Sequence, residues 1–283
     1  MNEKAAWRRN IVNYIVSMRL ILALVPLTAA MIGFDLAPSP KPFGLRIITI
    51  LLVGLGWGMN QVLNDLLGID ADRINAPQRP LCAGTLDKRF ALIATFCLAG
   101  TGFIISLILN RPAALVFSAV LALNLAYNKL KKVFLNNADF ALMIALCAVY
   151  GAFCSGIVFD TFCRQKLFLA ALSVGVINFV FAFLTDFKDE TGDKAVGVKN
   201  IVTICGRAKA RRLIPFFLAA QFLAVLIFVK NAGHTLSVMV YVTFGLAVAA
   251  AIYSRRTIDQ DNFSSKWPFI EALLLQTVML LAS

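Results

Sequence analysis

Histidine is scarce in this chain, and its cysteines lack metal-binding spacing. The 283 residues include one histidine, His234, which lies in a short turn between two apolar runs. A lone histidine cannot build a Ser-His-Asp arrangement or a histidine-rich metal centre, so we expect a surface role for it. The six cysteines form no C-x-x-C pair, and we expect ordinary small buried side chains. Zinc-finger and serine-hydrolase chemistry are therefore excluded.

The chain also lacks a polar stretch long enough to form a soluble domain. It is 60% hydrophobic with a mean hydropathy of +0.80, and its apolar runs approach the roughly 20 residues that a helix needs to cross a bilayer. We predict an all-α, polytopic membrane protein in which residues 1–283 form a single integral-membrane domain. The nine predicted spans are residues 12–34, 43–65, 89–109, 112–128, 138–158, 167–186, 212–230, 235–253 and 267–282.

Acidic residues are few, and nearly half of them lie in two short segments. Seven of the 15 fall in Asn64–Asp72 and Asp186–Asp193, at the ends of the second and sixth predicted spans. Such concentrated acid in an apolar chain needs a cationic partner. Mg²⁺ bridging a phosphate ligand is the natural candidate, because a few carboxylates and substrate phosphates usually hold this ion.

The two acidic segments share a helical spacing. Positions i, i+3 and i+7 would lie on one face of a helix. They are occupied by Asp65, Gly68 and Asp72 in the first segment and by Asp186, Asp189 and Asp193 in the second. Each segment ends the second helix of a comparable unit. We therefore predict two pseudo-repeated four-helix halves around a central cavity, plus one last helix.

Lysine and arginine are distributed unevenly between the connecting segments. With the amino terminus inside, 20 of the 27 basic residues fall in the inside segments, which also contain both acidic segments. Because cytoplasmic loops carry the positive excess, we expect a multi-pass protein, in the inner membrane if it is bacterial, with its acidic segments facing the cytoplasm. Topology and phosphate binding then explain the net charge of +12. We expect no nucleic-acid partner, and no interaction motif indicates a protein partner.

Polar side chains run along three of the predicted spans. They are Asn60, Gln61, Asn64 and Asp65 on the second span, Asn124, Tyr127, Asn128 and Lys131 on the fourth, and Asn178 on the sixth. Polar residues within a span are costly and usually face the bundle interior, so we predict one polar pocket open to the cytoplasm. The alternative is hydrogen bonding between helices with no ligand.

Cationic side chains accompany the acidic segments. Arg73 and Arg79 follow the first segment, and Lys188, Lys194 and Lys199 lie in or after the second. Carboxylates that hold a metal, combined with arginine and lysine that bind oxygens directly, form a suitable clamp for a diphosphate.

Together, these motifs resemble those of the UbiA-type intramembrane prenyltransferases. That family has nine helices and two cytoplasmic-side motifs, N-D-x-x-D-x-x-x-D and D-x-x-D-x-x-x-D. The first corresponds to Asn64–Asp72, which continues into D-R-I-N-A-P-Q-R-P, and the second is complete in Asp186–Asp193, followed by G-V-K-N-I-V. Between them, Tyr127–Lys131 matches a Y-x-x-x-K element.

The resemblance implies Mg²⁺-dependent transfer of a prenyl group from an isoprenyl diphosphate to an aromatic or lipid acceptor within the membrane lipid. It implies catalytic roles for Asp65, Asp72, Asp186 and Asp189. The implied metal ligands are Asn64, Asp65, Asp72, Asp186, Asp189 and Asp193. The implied diphosphate contacts are Asn64, Arg79, Tyr127, Lys131 and Lys199. Phe179 and Phe183, on the same helical face as Asp186, together with Asn178, are predicted to line the prenyl pocket.

Gly68 occupies the place of the family's middle aspartate in the first motif. Asp70 would point about 140° away from Asp65 on a continuous helix. Either Gly68 unwinds the helix end so that Asp70 turns inward as a ligand, or the site has one carboxylate fewer.

Two other functions remain open at this point. A membrane terpene cyclase of the same family would act on the isoprenyl diphosphate without an acceptor. A divalent-cation or phosphate-lipid transporter would also combine acidic residues with membrane spans, although its charges would be expected nearer the membrane midplane.

Overall fold

The computed structural model of the chain describes residues 3–36, 41–156, 161–232, 238–258 and 264–283, apart from the side chains of residues 128 and 161–163. His234 lies outside the described residues. All regular structure in the described part is helical. The helices are α1 (Glu3–Met18), α2 (Leu24–Asp35), α3 (Phe43–Leu67), α4 (Ile69–Asn75), α5 (Lys88–Leu109), α6 (Arg111–Leu130), α7 (Asn136–Cys154), α8 (Thr161–Ala195), α9 (Ile201–Cys205), α10 (Arg207–Ala232), α11 (Val238–Thr257) and α12 (Lys266–Ala282).

Seven helical segments of the described chain are long and apolar enough to cross a membrane. They are Glu3–Asp35, which combines α1 and α2, and the spanning parts of α3, α5, α7, α8, α10 and α11. The apolar part of α6, Arg111–Tyr127, is shorter, and α12 has 17 residues. The predicted all-α, multi-pass architecture is confirmed, whereas the number of nine spans stays a prediction.

Sequence signals account for several helix boundaries. Asp87 caps α5 by accepting a hydrogen bond from the Phe90 backbone N–H at 2.8 Å, and Pro112 occupies the first turn of α6, where its missing N–H costs nothing. Asn200 and Thr203 form a reciprocal capping box at the start of α9. These caps fix the ends of helices that flank the acidic segments.

Helix α7 lies near the centre of the bundle and α5 at its edge. In the most apolar window of α7, 67% of residues are buried, compared with 17% in α5. Large apolar side chains on the outer helices are exposed, including Ile93, Phe96 and Phe216. A bilayer would cover this surface, so the exposure agrees with a membrane protein.

Helices α2 and α7 cross at two glycines in a reciprocal contact. A Cβ on Gly33 would overlap the carbonyl group of Ala148, and a Cβ on Gly151 would overlap that of Ala30. Small residues allow such close backbone approach between membrane helices. Each helix thus uses the same Ala-x-x-Gly pattern against the other. This arrangement fits the predicted pseudo-repeat, because α2 belongs to the first spanning segment of one half and α7 to that of the other.

Candidate active site

The first acidic segment is divided between two helices. Helix α3 ends at Leu67, and Gly68, with φ −107° and ψ 17°, separates it from α4. The prediction that Asp65 and Asp72 share one continuous helical face is therefore wrong. Glycine has low helix propensity because it loses more backbone entropy than any other residue, which accounts for a break at this position.

Arg79 holds the two parts of the first segment together. Its Nη1 lies 3.0 Å from Asp65 Oδ1 and 2.5 Å from Asp72 Oδ2. Burial alone would lower the pKa of Arg79, but the facing carboxylates of Asp65 and Asp72 more than offset this and raise it. The guanidinium therefore stays charged and joins the end of α3 to α4.

A second arginine, Arg19, binds the same oxygen of Asp65 as Arg79. Arg19 Nη2 donates to Asp65 Oδ1 at 2.8 Å and to the Gln61 carbonyl at 3.3 Å. Arg19 has φ 45° and ψ 52°, a left-handed conformation that non-glycine residues rarely adopt and that tends to occur at functional sites. Sequence reasoning missed Arg19, because it lies inside the first predicted span and outside every motif.

Asp70 lies outside this group of side chains. Its side chain is 80% exposed, and its carboxylate lies 3.7 Å from Arg73 on the same helix. The helix does break at Gly68, as one of the two alternatives requires, but Asp70 does not turn inward. The structure thus favours a first segment with one carboxylate fewer and corrects the suggestion that Asp70 is a ligand.

The second acidic segment lies within the continuous helix α8, as the spacing predicts. Two buried asparagines from other parts of the chain bind it. Asn137 of α7 donates to Asp186 Oδ2 at 2.9 Å, and Asn200, the residue before α9, donates to Asp193 Oδ2 at 3.0 Å. Asn137 belongs to no motif recognised in the sequence, and Asn200 lies in the G-V-K-N-I-V run, where the sequence assigned it no role. The contacts of both asparagines with α8 become visible only in the tertiary structure.

Asn75 docks the first segment onto the second. Its Oδ1 accepts a hydrogen bond from the Gly192 N–H at 3.0 Å, and its Nδ2 donates to the Asp189 carbonyl at 3.3 Å. A Cβ on Gly192 would overlap the Asn75 side chain. Gly192 lies inside α8, and its lack of a side chain permits the close approach of Asn75. From the sequence alone, a turn would be expected at this glycine.

Charged side chains around the first acidic segment interact electrostatically with those of the second. Asp189 interacts electrostatically with Arg79 and Asp72 of the first half. Lys131, at the end of α6, interacts with Asp186, Asp189 and Asp193 of the second, and its Nζ lies 4.5 Å from the centre of the Tyr127 ring. The two acidic segments thus face each other across a single site.

Lys199 reaches this region through its backbone. Its N–H donates to the Lys131 carbonyl at 2.8 Å, and its side chain is exposed. The contact places two of the predicted phosphate-binding lysines side by side at the edge of the site.

The donor atoms of the site suit a hard cation that shares its ligands with a phosphate. Among the described residues, no three acidic, histidine or cysteine side chains converge closely enough to hold a metal ion alone. The available donors are carboxylate oxygens and the buried Asn64 Oδ1, which has no hydrogen-bond partner in the described structure. Mg²⁺ fits such a set, because it binds through one or two carboxylates plus phosphate and water oxygens.

An inner pocket of about 120 Å³ includes two residues of the site, Asn64 and Tyr127, in its lining. One part of its wall is polar, formed by Asn60, Gln61, Asn64, Asn124 and Tyr127. Another part is aromatic. Successive ring centres are 5.9 Å apart from Trp57 to Phe140, 5.9 Å from Phe140 to Phe181 and 6.4 Å from Phe181 to Phe269.

Phe179 and Phe183, the aromatic residues predicted for the prenyl pocket, do not line this inner pocket. Phe183 is fully buried and packs edge-to-face against Phe187 and Phe217. Phe179 also contacts Phe217. Both rings therefore pack against α10, and Phe181 lines the pocket from the same helix. Phe179 instead lines a separate apolar pocket between α7 and α8, and the carboxylate of Asp186 contacts α7. The assignment of Phe179 and Phe183 to the prenyl pocket stays a prediction.

Asn178, the third residue predicted for the prenyl pocket, does not line the inner pocket either. It is fully buried, and its Nδ2 donates to the Val174 carbonyl one turn earlier on α8 at 2.8 Å.

The amino-acid sequence of the chain is similar to those of known proteins. Residues 22–279 match the model of the UbiA prenyltransferase family. A digeranylgeranylglyceryl phosphate synthase of Thermococcus gammatolerans is 29% identical over 267 residues, which cover 93% of this chain and 91% of the relative.

Solved structures share the fold. A UbiA homologue from Aeropyrum pernix K1 superposes with a TM-score of 0.78 at 19% identity, covering 92% of this chain and 97% of the homologue. A UbiA homologue from Archaeoglobus fulgidus, bound to GPP and Mg²⁺, has a TM-score of 0.72 at 16% identity, with coverage of 95% and 97%.

Proposed function

Because the chain belongs to the UbiA prenyltransferase family, we propose that its two acidic segments form one Mg²⁺–diphosphate site and that its acceptor is a glyceryl phosphate lipid. The protein is a multi-pass membrane enzyme that transfers a prenyl group from an isoprenyl diphosphate with the help of Mg²⁺.

The observation that carries this proposal is the position of Arg79. It binds carboxylates on both sides of the Gly68 break and interacts with Asp189 of the other half. A cation that is bound by acidic residues of one half and attracted by an acidic residue of the other marks the place where diphosphate oxygens and metal would meet.

In this proposal, Asn64, Asp65, Asp72, Asp186, Asp189 and Asp193 hold Mg²⁺. When bound, Mg²⁺ neutralises the charge that grows on the diphosphate as the allylic C–O bond breaks. The predicted phosphate contacts Arg79, Tyr127, Lys131 and Lys199 orient the diphosphate at the cytoplasmic ends of the helices.

The aromatic wall of the inner pocket has a separate task. The rings of Trp57, Phe140 and Phe181 form a continuous surface that suits an allylic cation, because aromatic faces attract positive charge. Their apolar bulk also limits the access of water, which would otherwise capture the cation.

The acceptor is inferred from the relatives and from the charge around the site. The relatives' name states a product in which glyceryl phosphate carries two geranylgeranyl groups. A pocket of about 270 Å³ beside Gly68 has three lysines and one aspartate in its lining, Lys129, Lys131, Lys132 and Asp70. This net positive lining suits the phosphate of a lipid acceptor.

The distribution of basic residues supports a cytoplasmic location of the site. The 20 basic residues of the inside segments include Arg79, Lys131 and Lys199. The diphosphate head of the donor would therefore lie on the cytoplasmic side, while the pocket extends into the membrane.

The function can be tested with purified protein, Mg²⁺ and geranylgeranyl diphosphate. Two acceptors are offered in parallel, geranylgeranylglyceryl phosphate and 4-hydroxybenzoate, and products are identified by mass spectrometry. We expect a digeranylgeranylglyceryl phosphate and released diphosphate. Prenylation of hydroxybenzoate alone would overturn the acceptor assignment, and a terpene hydrocarbon or alcohol formed without acceptor would identify a cyclase.

A further inference from the structure

Two asparagine side chains present unpaired oxygens in the wall of the inner pocket. Asn124 is 1% exposed. Its Nδ2 donates to the Asn60 carbonyl at 3.4 Å, and its Oδ1 has no hydrogen-bond partner among the described residues. Asn64 Oδ1 is likewise buried and without such a partner. Both residues line the same pocket.

A buried carboxamide oxygen without a partner is costly, so native structures rarely leave one unless a ligand or water binds there. The pocket is large enough for such a ligand. A water molecule needs roughly 10–15 Å³ on the scale on which this pocket has about 120 Å³. Asn64 is assigned to Mg²⁺ in the proposed function, which leaves Asn124 Oδ1 as the oxygen that still requires a partner. A carboxamide oxygen accepts hydrogen bonds, so the group that matches Asn124 is a donor.

We infer that Asn124 is a positioning residue for the acceptor, and that it accepts a hydrogen bond from a hydroxyl group of an alcohol. The inference rests on the proposed function and specifies it, because it defines the nucleophile as an alcohol oxygen. Asn64, which also takes part in the diphosphate site, lies on the adjacent part of the wall.

The position of Asn124 fits this role. The polar wall on α3 and α6 borders the same small pocket as the aromatic rings of Trp57, Phe140 and Phe181. An acceptor oxygen held at Asn124 therefore shares the pocket with the rings that face the allylic carbon. A fixed orientation of two reactants can supply a large part of a rate enhancement.

The reaction balances without another reactant. The allylic C–O bond breaks, and its electron pair stays on the diphosphate. A lone pair of the acceptor oxygen forms the new ether bond to the allylic carbon. The hydroxyl proton passes to the departing diphosphate, which is released with it.

The test compares Asn124→Leu and Asn124→Gln with the wild-type enzyme. We expect Asn124→Leu to raise the KM for geranylgeranylglyceryl phosphate on the order of tenfold, because one hydrogen bond to the acceptor is lost. The KM for geranylgeranyl diphosphate should change less than twofold. Asn124→Gln should restore part of the acceptor affinity, since it retains the carboxamide.

A matched control distinguishes positioning from stability. Gln276 is a fully buried carboxamide on α12 with an unpaired Nε2 in the described structure, and it is not part of the pocket lining. Gln276→Leu should leave both KM values within twofold of wild type, even if its thermal stability falls.

A deoxy acceptor analogue supplies the second readout. This unreactive inhibitor lacks the hydroxyl, so it should bind wild type and Asn124→Leu equally, whereas the hydroxyl acceptor should distinguish them. If wild type and Asn124→Leu bind the hydroxyl acceptor with equal affinity, the inference is overturned. Failure of the wild-type enzyme to prenylate any alcohol, with diphosphate release intact, would also overturn it. If the wild-type enzyme releases no diphosphate from any donor, the proposed function itself fails.

Discussion

Replacing Arg79 with methionine removes the cation that joins the two parts of the first acidic segment. The side chains of Asp65 and Asp72 are 3% and 15% exposed, and that of Arg79 is 29% exposed. Breaking a fully buried ion pair costs about 3–5 kcal/mol. Partial exposure screens the charge, and Asp65 keeps its contact with Arg19, so we expect a loss of about 2 kcal/mol.

This loss should be measurable as a shift of the apparent Tm in detergent. At roughly 2–4 °C per kcal/mol for a chain of this size, Arg79→Met should melt about 4–8 °C below wild type. Added Mg²⁺ should raise its Tm more than that of wild type, because the ion would replace the missing positive charge at Asp65 and Asp72. The steady-state kcat/KM for the diphosphate donor should fall by about tenfold to a hundredfold, since a charge-assisted contact is worth about 1.5–3 kcal/mol.

Arg73→Met is the matched control for this experiment. Arg73 lies on α4, and its ion pair with Asp70 is 3.7 Å long between side chains that are 62% and 80% exposed. Such surface pairs contribute little, so this variant should melt within 1 °C of wild type. Equal melting temperatures and equal Mg²⁺ responses of Arg79→Met and wild type would refute the bridging role of Arg79.

Three further outcomes follow from the geometry. Asp70→Ala should retain wild-type activity and Mg²⁺ dependence, because its carboxylate is exposed; a large loss in a Mg²⁺ titration would show that Asp70 is a ligand after all. Gly192→Ala should reduce diphosphate release at least tenfold, since its Cβ would displace Asn75, and wild-type rates would contradict this docking contact. Phe181→Leu should increase the share of prenyl alcohol among the products measured by mass spectrometry, as water reaches the cation more easily; an unchanged share would argue against this aromatic wall.

The broad architecture could be predicted from the sequence because it depends on local signals. Apolar runs of span length predict helices in a membrane, and the spacing of Asp186, Asp189 and Asp193 predicts one helical face, which α8 presents. The pairing of two halves was inferred from a matched spacing and agrees with the reciprocal contact of Gly33 and Gly151.

The details of the site depend on contacts between distant parts of the chain, which no local pattern carries. Arg19 reaches Asp65 only because the backbone turns into a left-handed conformation between two apolar helices. Asn137 and Asn200 reach α8 from different helices or loops. Helical phase alone could not show that Phe183 packs against Phe217 of α10, since it does not reveal which neighbour a given face of α8 contacts.

The measurement that tests the central claim most directly is Mg²⁺-dependent release of diphosphate from geranylgeranyl diphosphate, in the presence of geranylgeranylglyceryl phosphate, by wild type, Asp72→Asn and Asp189→Asn. Each variant alters one acidic segment and nearly preserves side-chain volume. If both segments form one site, each variant should lose release by on the order of a hundredfold or more, and excess Mg²⁺ should recover only part of it. Wild-type release by either variant would contradict the account, because one segment would then suffice for the reaction.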